Sequence, residues 1–191
     1  MRRLALVLVA ATVLAAPAAA TTGWTTHTVA TSGFSLATPS SWVDLSGLSP
    51  QLLSALAAKN PELASLARTA RQQKEIKLVA GAPNGYPNVN VIAIDARIPL
   101  ATFVAVNVRE IRGLSFVVGA VTTKHVNLPA GRAVMVHYLE APAGRTIATL
   151  QYYIVHGGRA YIVTYTSLPS SERHDAPTRE RSIATLRFRG A

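Results

Sequence analysis

Arg145-Thr146-Ile147-Ala148-Thr149-Leu150-Gln151-Tyr152-Tyr153-Ile154-Val155-His156-Gly157-Gly158-Arg159-Ala160-Tyr161-Ile162-Val163-Thr164-Tyr165-Thr166-Ser167 is the stretch that decides the fold. Two runs rich in β-branched and aromatic residues flank a Gly-Gly pair, which is a two-residue hairpin signal. With Gly157 and Gly158 as the loop, His156 stands opposite Arg159, Ile154 opposite Tyr161, Tyr152 opposite Val163 and Leu150 opposite Tyr165. Side chains alternate along a strand, so Leu150, Tyr152, Ile154, Tyr161, Val163 and Tyr165 share one apolar face. Thr149, Gln151, Tyr153, Val155, Ile162, Thr164 and Thr166 share the other, a mixed face that tolerates water. Antiparallel sheets with one covered and one wet face divide their residues in this way.

The same punctuation runs upstream. Val117–Leu128 and Arg132–Glu140 read as strands separated by Pro129-Ala130-Gly131, with Ala141–Gly144 as the next turn. Earlier, Trp24–Ala30, Phe34–Thr38, Ile76–Ala80 and Val89–Ile94 read as short strands. Ser49-Pro50 and Asn60-Pro61 are N-cap and first-position proline pairs, so each opens a helix. Leu52, Leu53 and Leu56 stripe the first helix, and Leu63, Leu66, Ala67 and Ala70 the second. Pro99 opens a third helix to about Arg112, with Leu100, Phe103, Val104, Ile111 and Leu114 on one face. A fourth spans about Ala176 to Leu186, with Asp175 as its N-cap and Pro177 in its first turn. These helices are expected to cover the tyrosine-bearing face. The fold class is therefore α+β, an antiparallel sheet of about six strands with helices packed on its faces.

The N-terminus reads differently. Arg2-Arg3, an apolar stretch from Leu4 to Ala16, and Pro17-Ala18-Ala19-Ala20 have the layout of a Sec-type signal peptide. The apolar run is too short to span a bilayer, which needs roughly 20 helical residues. Residues 1–20 are thus expected to be removed, leaving residues 21–191 as one α+β domain that is periplasmic, extracellular or wall-associated. No later stretch reads as a membrane span.

Composition narrows the chemistry. In 191 residues there is no cysteine, which excludes disulfides, thiol catalysis and Cys-ligated metals. Nineteen Lys+Arg against nine Asp+Glu give a net charge of +10, or +8 once Arg2 and Arg3 are removed. Arg109, Arg112, Arg173, Arg179, Arg181, Arg187 and Arg189 crowd onto helical or terminal segments. Such a field attracts an acidic envelope protein or an anionic polymer in a salt-dependent way. Export argues against nucleic acid as a partner.

No catalytic motif is visible. His27, His125, His137, His156 and His174 lack H-x-H or H-E-x-x-H spacing, and no G-x-S-x-G occurs. The chain also lacks a phosphate-binding loop. Catalytic, metal and cofactor residues are therefore expected to be none. The candidate binding residues are Arg132, Tyr153, His156 and Arg159, on the mixed sheet face and at the hairpin ends. The expected role is a non-enzymatic binding or accessory protein of the cell envelope. The alternatives are a secreted hydrolase of small or wall-derived substrates and a carrier of a small apolar ligand between sheet and helices.

Three segments together resemble the PsbP-like superfamily, including its DcrB-like and LpqN-type secreted members. They are Gly33-Phe34-Ser35-Leu36-Ala37-Thr38-Pro39-Ser40-Ser41-Trp42, the Gln151–Tyr165 hairpin, and the closing Ile183–Phe188. The resemblance implies an antiparallel sheet of about six strands with helices on it, and binding or assembly work. The missing cysteine removes the lipid anchor of the lipoprotein members. A shared fold carries function only by analogy.

Overall fold

The computed structural model describes residues 23–189. The expected signal peptide, residues 1–20, lies outside them. Among the described residues no helix is long and apolar enough to cross a membrane.

The hairpin forms in the expected register. β8 (Ile147–His156) and β9 (Arg159–Ser167) pair from His156↔Arg159 to Ala148↔Ser167. Gly157 and Gly158 carry φ of 56° and 76°, left-handed values that a side chain opposes and glycine accepts. β7 (Gly131–Glu140) and β6 (Val117–Leu128) add to the β8 side. On the other side, β5 (Asn88–Asp95) pairs with β9 across their full overlap and is followed by β4 (Ile76–Gly81) and the two-residue β3 (Val43–Asp44). The result is one antiparallel seven-stranded sheet in the order β3-β4-β5-β9-β8-β7-β6. A second sheet of three strands holds β1 (Trp24–Val29), β2 (Phe34–Pro39) and β10 (Arg187–Phe188), with β2 in the middle.

The helices start where local chemistry dictates. α1 (Pro50–Lys59) is capped by the Ser49 hydroxyl, which accepts from the Leu52 amide at 3.2 Å. α2 (Pro61–Gln72) is capped by Asn60 Oδ1, which accepts from the Leu63 amide at 3.1 Å. Such caps satisfy amide donors that the first helical turn leaves free. α3 spans Leu100–Arg112. α4 (Glu172–Ala184) begins a turn earlier than expected. Asp175 is inside it, where its carboxylate accepts from the Ser171 hydroxyl at 2.8 Å, and Pro177 falls in the second turn. An acid in the first helical turn satisfies the same dipole as a cap, so the two placements look alike in sequence. On α1, Leu52 is 58% exposed and outside the expected stripe, while Leu53 and Leu56 pack toward α2.

The layering corrects the expectation about faces. Leu150, Tyr152, Ile154, Tyr161, Val163 and Tyr165 are buried as expected, but chiefly under the small sheet and α4, through Phe34, Leu36, Ile183 and Leu186. The other face is not wet. Tyr153 is 1% exposed, and with Ile92, Val134, Val136, Tyr138 and Ile162 it packs under Phe103, Val104, Val108 and Ile111 of α3. Toward β4 the same face takes α2, where Leu63 and Ala67 meet Leu45 and Val79. The reason is additive. Each strand brings only a few apolar residues to this face, up to the three of β7 (Val134, Val136 and Tyr138), and only the assembled sheet offers α3 enough area, at about 1.5–3 kcal/mol per large side chain buried.

Candidate ligand-binding site

Between α3 and this second sheet face lies a cavity of about 450 Å³. Its walls are Ile92, Ile94 and Ile162 from the sheet and Phe103, Ile111 and Leu114 from α3 and its end. Its polar groups come from three elements: Tyr138 and Glu140 on β7, Gln151 and Tyr153 on β8, and Asn107, Arg109 and Glu110 on α3. Apolar walls with a few convergent polar groups, at a volume within the usual range of 300–1,000 Å³, are the general form of a small-molecule site.

The strand register explains why these groups meet. On the α3-covered face, successive rows across β5, β9 and β8 read Ile92–Ile162–Tyr153, then Asn90–Thr164–Gln151, then Asn88–Thr166–Thr149. The first row is apolar and supports α3. The next two are polar and, apart from the half-buried Gln151, buried; β7 continues them with Val136 opposite Gln151 and Tyr138 opposite Thr149, and Glu140 stands one row further, opposite Ile147. Glu140 is 5% exposed, and its Oε1 accepts from the Thr149 hydroxyl at 2.7 Å. Burial pushes its carboxyl above the usual range, with the Thr149 hydrogen bond opposing. Burial likewise pushes the Tyr138 and Tyr153 phenols up, helped by the negative charges of Glu140 and Glu110 respectively. The Tyr153 hydroxyl donates to Gln151 Oε1 at 2.5 Å. Asn90 is buried with no hydrogen-bond partner on either amide atom, which leaves unused capacity in the row that Gln151 carries to the cavity.

The four residues singled out from sequence do not converge. Tyr153 lines the cavity. Arg132 is exposed at the opposite end of β7 from Glu140. Arg159 faces the N-terminal segment, with its Nε 3.1 Å from Asp95 Oδ1 and a terminal nitrogen donating to the Thr31 carbonyl at 2.9 Å. His156 stacks on Phe188 with ring centroids 4.5 Å apart and planes 12° apart. Arg159 and His156 thus fasten the small sheet to the hairpin end, as does the Tyr161 hydroxyl donating to the Ser32 carbonyl at 2.8 Å. Sequence reasoning missed Tyr138, Glu140, Gln151 and Asn107. One signal was present: Glu140 continues the period-two series Val134, Val136, Tyr138, a carboxylate on the buried side of its strand.

A second constellation has the order of a hydrolytic relay. His27 Nδ1 lies 3.1 Å from Asp44 Oδ2, and its Nε2 lies 2.8 Å from Thr38 Oγ1. The exposures are reversed for that chemistry. A relay buries its carboxylate and presents its hydroxyl, whereas here Thr38 is 1% exposed and the Asp44 side chain 46%. The histidine joins β1, β2 and β3, and its hydrogen bond holds the Asp44 carboxyl below its usual value. His137 Nε2 lies 2.9 Å from Glu172 Oε1, and His174 Nδ1 lies 3.4 Å from Asp175 Oδ1. Among the described residues no group of three or more His, Asp or Glu is placed to hold a metal ion.

No protein-family model matches the chain, and no curated protein matches it. Solved structures do. The cyanobacterial PsbP of Synechocystis aligns with a TM-score of 0.61 at 7% identity, over 91% of this chain and 97% of that one. LpqN of Mycobacterium tuberculosis, described as involved in cell envelope biogenesis, aligns at 0.52 and 13%, over 88% and 91%. A Bacteroides thetaiotaomicron protein aligns at 0.53 and 13%, over 83% of this chain, which spans 46% of that protein's length. The chain therefore has a PsbP-like fold.

Proposed function

We propose that this is an exported, non-enzymatic binding protein of the cell envelope that holds a small, partly apolar molecule between α3 and the seven-stranded sheet. The observation that carries the reading is the 450 Å³ cavity with apolar walls and converging polar groups. It favours ligand carriage over docking through an open sheet face, because that face is closed by α3. Export rests on the Arg2-Arg3 to Ala20 segment, and the description of LpqN as an envelope protein agrees with it. An accessory role fits a cavity lined by no serine, cysteine or histidine. The exposed Arg109, at the cavity, and Arg112, at the end of the same helix, leave room for an acidic envelope partner as well.

Native mass spectrometry of the protein isolated from its own envelope fraction tests this. The expected result is a retained small-molecule adduct on a chain lacking about the first 20 residues. The adduct is expected to be absent from Asn107→Phe, which fills the cavity and loses only a bond to the Phe103 carbonyl of its own helix. A bare wild-type chain, or an adduct equally present on the filled variant, contradicts the reading. Turnover of aryl esters or glycosides that disappears in Glu140→Gln would return it to the hydrolase class.

A further inference from the structure

We propose that the cavity under α3 takes an organic cation, an ammonium group on an apolar body, with Glu140 as its counter-charge and the Tyr138, Tyr153 and Phe103 rings as its walls. The inference rests on the reading that the cavity is a binding site, and it adds the charge of the ligand. Cations outnumber acids nineteen to nine in this chain, yet two of the nine acids, Glu140 and Glu110, line this one cavity. Among the described residues neither carboxylate is paired with an Arg, Lys or His side chain; the acids that are so paired are Asp95, with Arg159, and Asp44, Glu172 and Asp175, each with a histidine. Arg109 and Glu110 are both exposed in the last turn of α3, where water screens their opposite charges, so the buried Glu140 is the charge that acts inside the cavity. Glu140 is almost wholly out of water and accepts one hydrogen bond, from Thr149.

Three aromatic rings stand around the same space. Phe103 and Tyr153 meet edge to face with centroids 5.6 Å apart, a contact that occupies one face of one ring and leaves the other faces for a ligand. Aromatic faces attract a desolvated cation, and a carboxylate forms its strongest hydrogen bonds with a charged N–H donor. The cavity thus supplies what an ammonium group needs on leaving water: a carboxylate, ring faces, and Gln151 Oε1, which accepts from the Tyr153 hydroxyl and has a second lone pair for an ammonium N–H. Isoleucines and Leu114 remain for the apolar body.

Three probes of one shape and different charge decide the matter by calorimetry: benzylamine, benzyl alcohol and benzoate. Benzylamine is expected to bind about tenfold more tightly than benzyl alcohol, and benzoate more weakly than either. Glu140→Gln, which preserves an acceptor for Thr149, is expected to remove most of the amine's advantage over benzyl alcohol, with an unchanged circular dichroism spectrum and cooperative thermal unfolding reporting that the variant is folded. Glu110→Gln is expected to have a smaller effect of the same sign. Thr149 donates to Glu140, and the other polar and charged groups that line the same cavity are Tyr138 on its own strand, Gln151 and Tyr153 on β8, and Arg109 and Glu110 on α3. Of these Glu140 alone combines burial with a carboxyl, so amine affinity is expected to climb with pH as it ionises. Equal binding of amine and alcohol, or tighter binding of benzoate, overturns the inference and leaves the cavity reading standing. Failure of all three to bind removes both.

Discussion

Replacing Ser182 by Ala tests how the small sheet and α4 are held to the large sheet. Ser182 is fully buried, accepts from the Tyr165 hydroxyl at 2.9 Å and donates to the Ala37 carbonyl at 2.6 Å. Beside it, Thr185 Oγ1 accepts from the Ala37 amide at 2.8 Å and donates to the Ser182 carbonyl. One hydroxyl therefore links β9, α4 and β2. Ser182→Ala strands the Tyr165 phenol in a site where burial already pushes its pKa up, leaving a donor without an acceptor. An orphaned buried donor costs about 1–3 kcal/mol, and the bond lost by the Ala37 carbonyl adds about 1. The expected loss is about 2–4 kcal/mol, a large part of the 5–15 typical of a domain. Tyr165→Phe removes the phenol's hydroxyl but leaves Ser182 donating to Ala37, so about 1 kcal/mol is expected. The double variant has no stranded hydroxyl and is expected to be no less stable than Ser182→Ala alone. Urea unfolding with unchanged m values measures all three. A Ser182→Ala loss under about 0.5 kcal/mol, or strict additivity in the cycle, would refute the linkage.

Three further outcomes are expected. Gly157→Ala forces a side chain into φ of 56° with no neighbour within 4 Å to blame, so the cost is backbone strain of about 1–2 kcal/mol, and Gly157→Asn is expected to recover most of it in thermal unfolding. Phe103→Ala removes the cavity's roof contact with Tyr153 and is expected to cost about 3 kcal/mol, the lower end for a buried Phe because a cavity already adjoins it, together with loss of ligand binding. Because the Glu140 carboxyl is raised in the folded state, the fold holds its proton more tightly than the unfolded chain does. Stability is therefore expected to fall as pH rises from about 4.5, the ordinary glutamate value, through the higher folded value, then to level off. In Glu140→Gln that decline is expected to vanish, as read from unfolding midpoints across pH.

The parts of the fold that depend on neighbours in sequence were legible. The Gly157-Gly158 turn sets the whole β8–β9 register, and Ser49 and Asn60 cap their helices from three residues away. The assignment of layers to faces was not, because it depends on pairings far apart along the chain. β10 joins β2 through Ser35↔Arg187, and no local pattern announces that a three-stranded sheet will cover the tyrosine face. The hairpin alone brings too few apolar residues to its other face to advertise a buried surface, which is why Tyr153 read as exposed. His156 and Arg159 drew notice as polar groups at a turn, yet Phe188 and Thr31, their partners, come from the two ends of the chain. Glu140 carried a local signal, a carboxylate in an alternating apolar series, whose meaning needed α3 overhead.

The most direct test of the account is methyl NMR with the isoleucine and leucine methyls assigned, titrated with benzylamine. The account predicts shift changes centred on Ile92, Ile94, Ile111, Leu114 and Ile162, with Phe34-side methyls such as Ile183 and Leu186 unmoved. Changes confined to surface methyls such as Leu52 and Ile98, or spread evenly over both sheet faces, would contradict a ligand seated beneath α3.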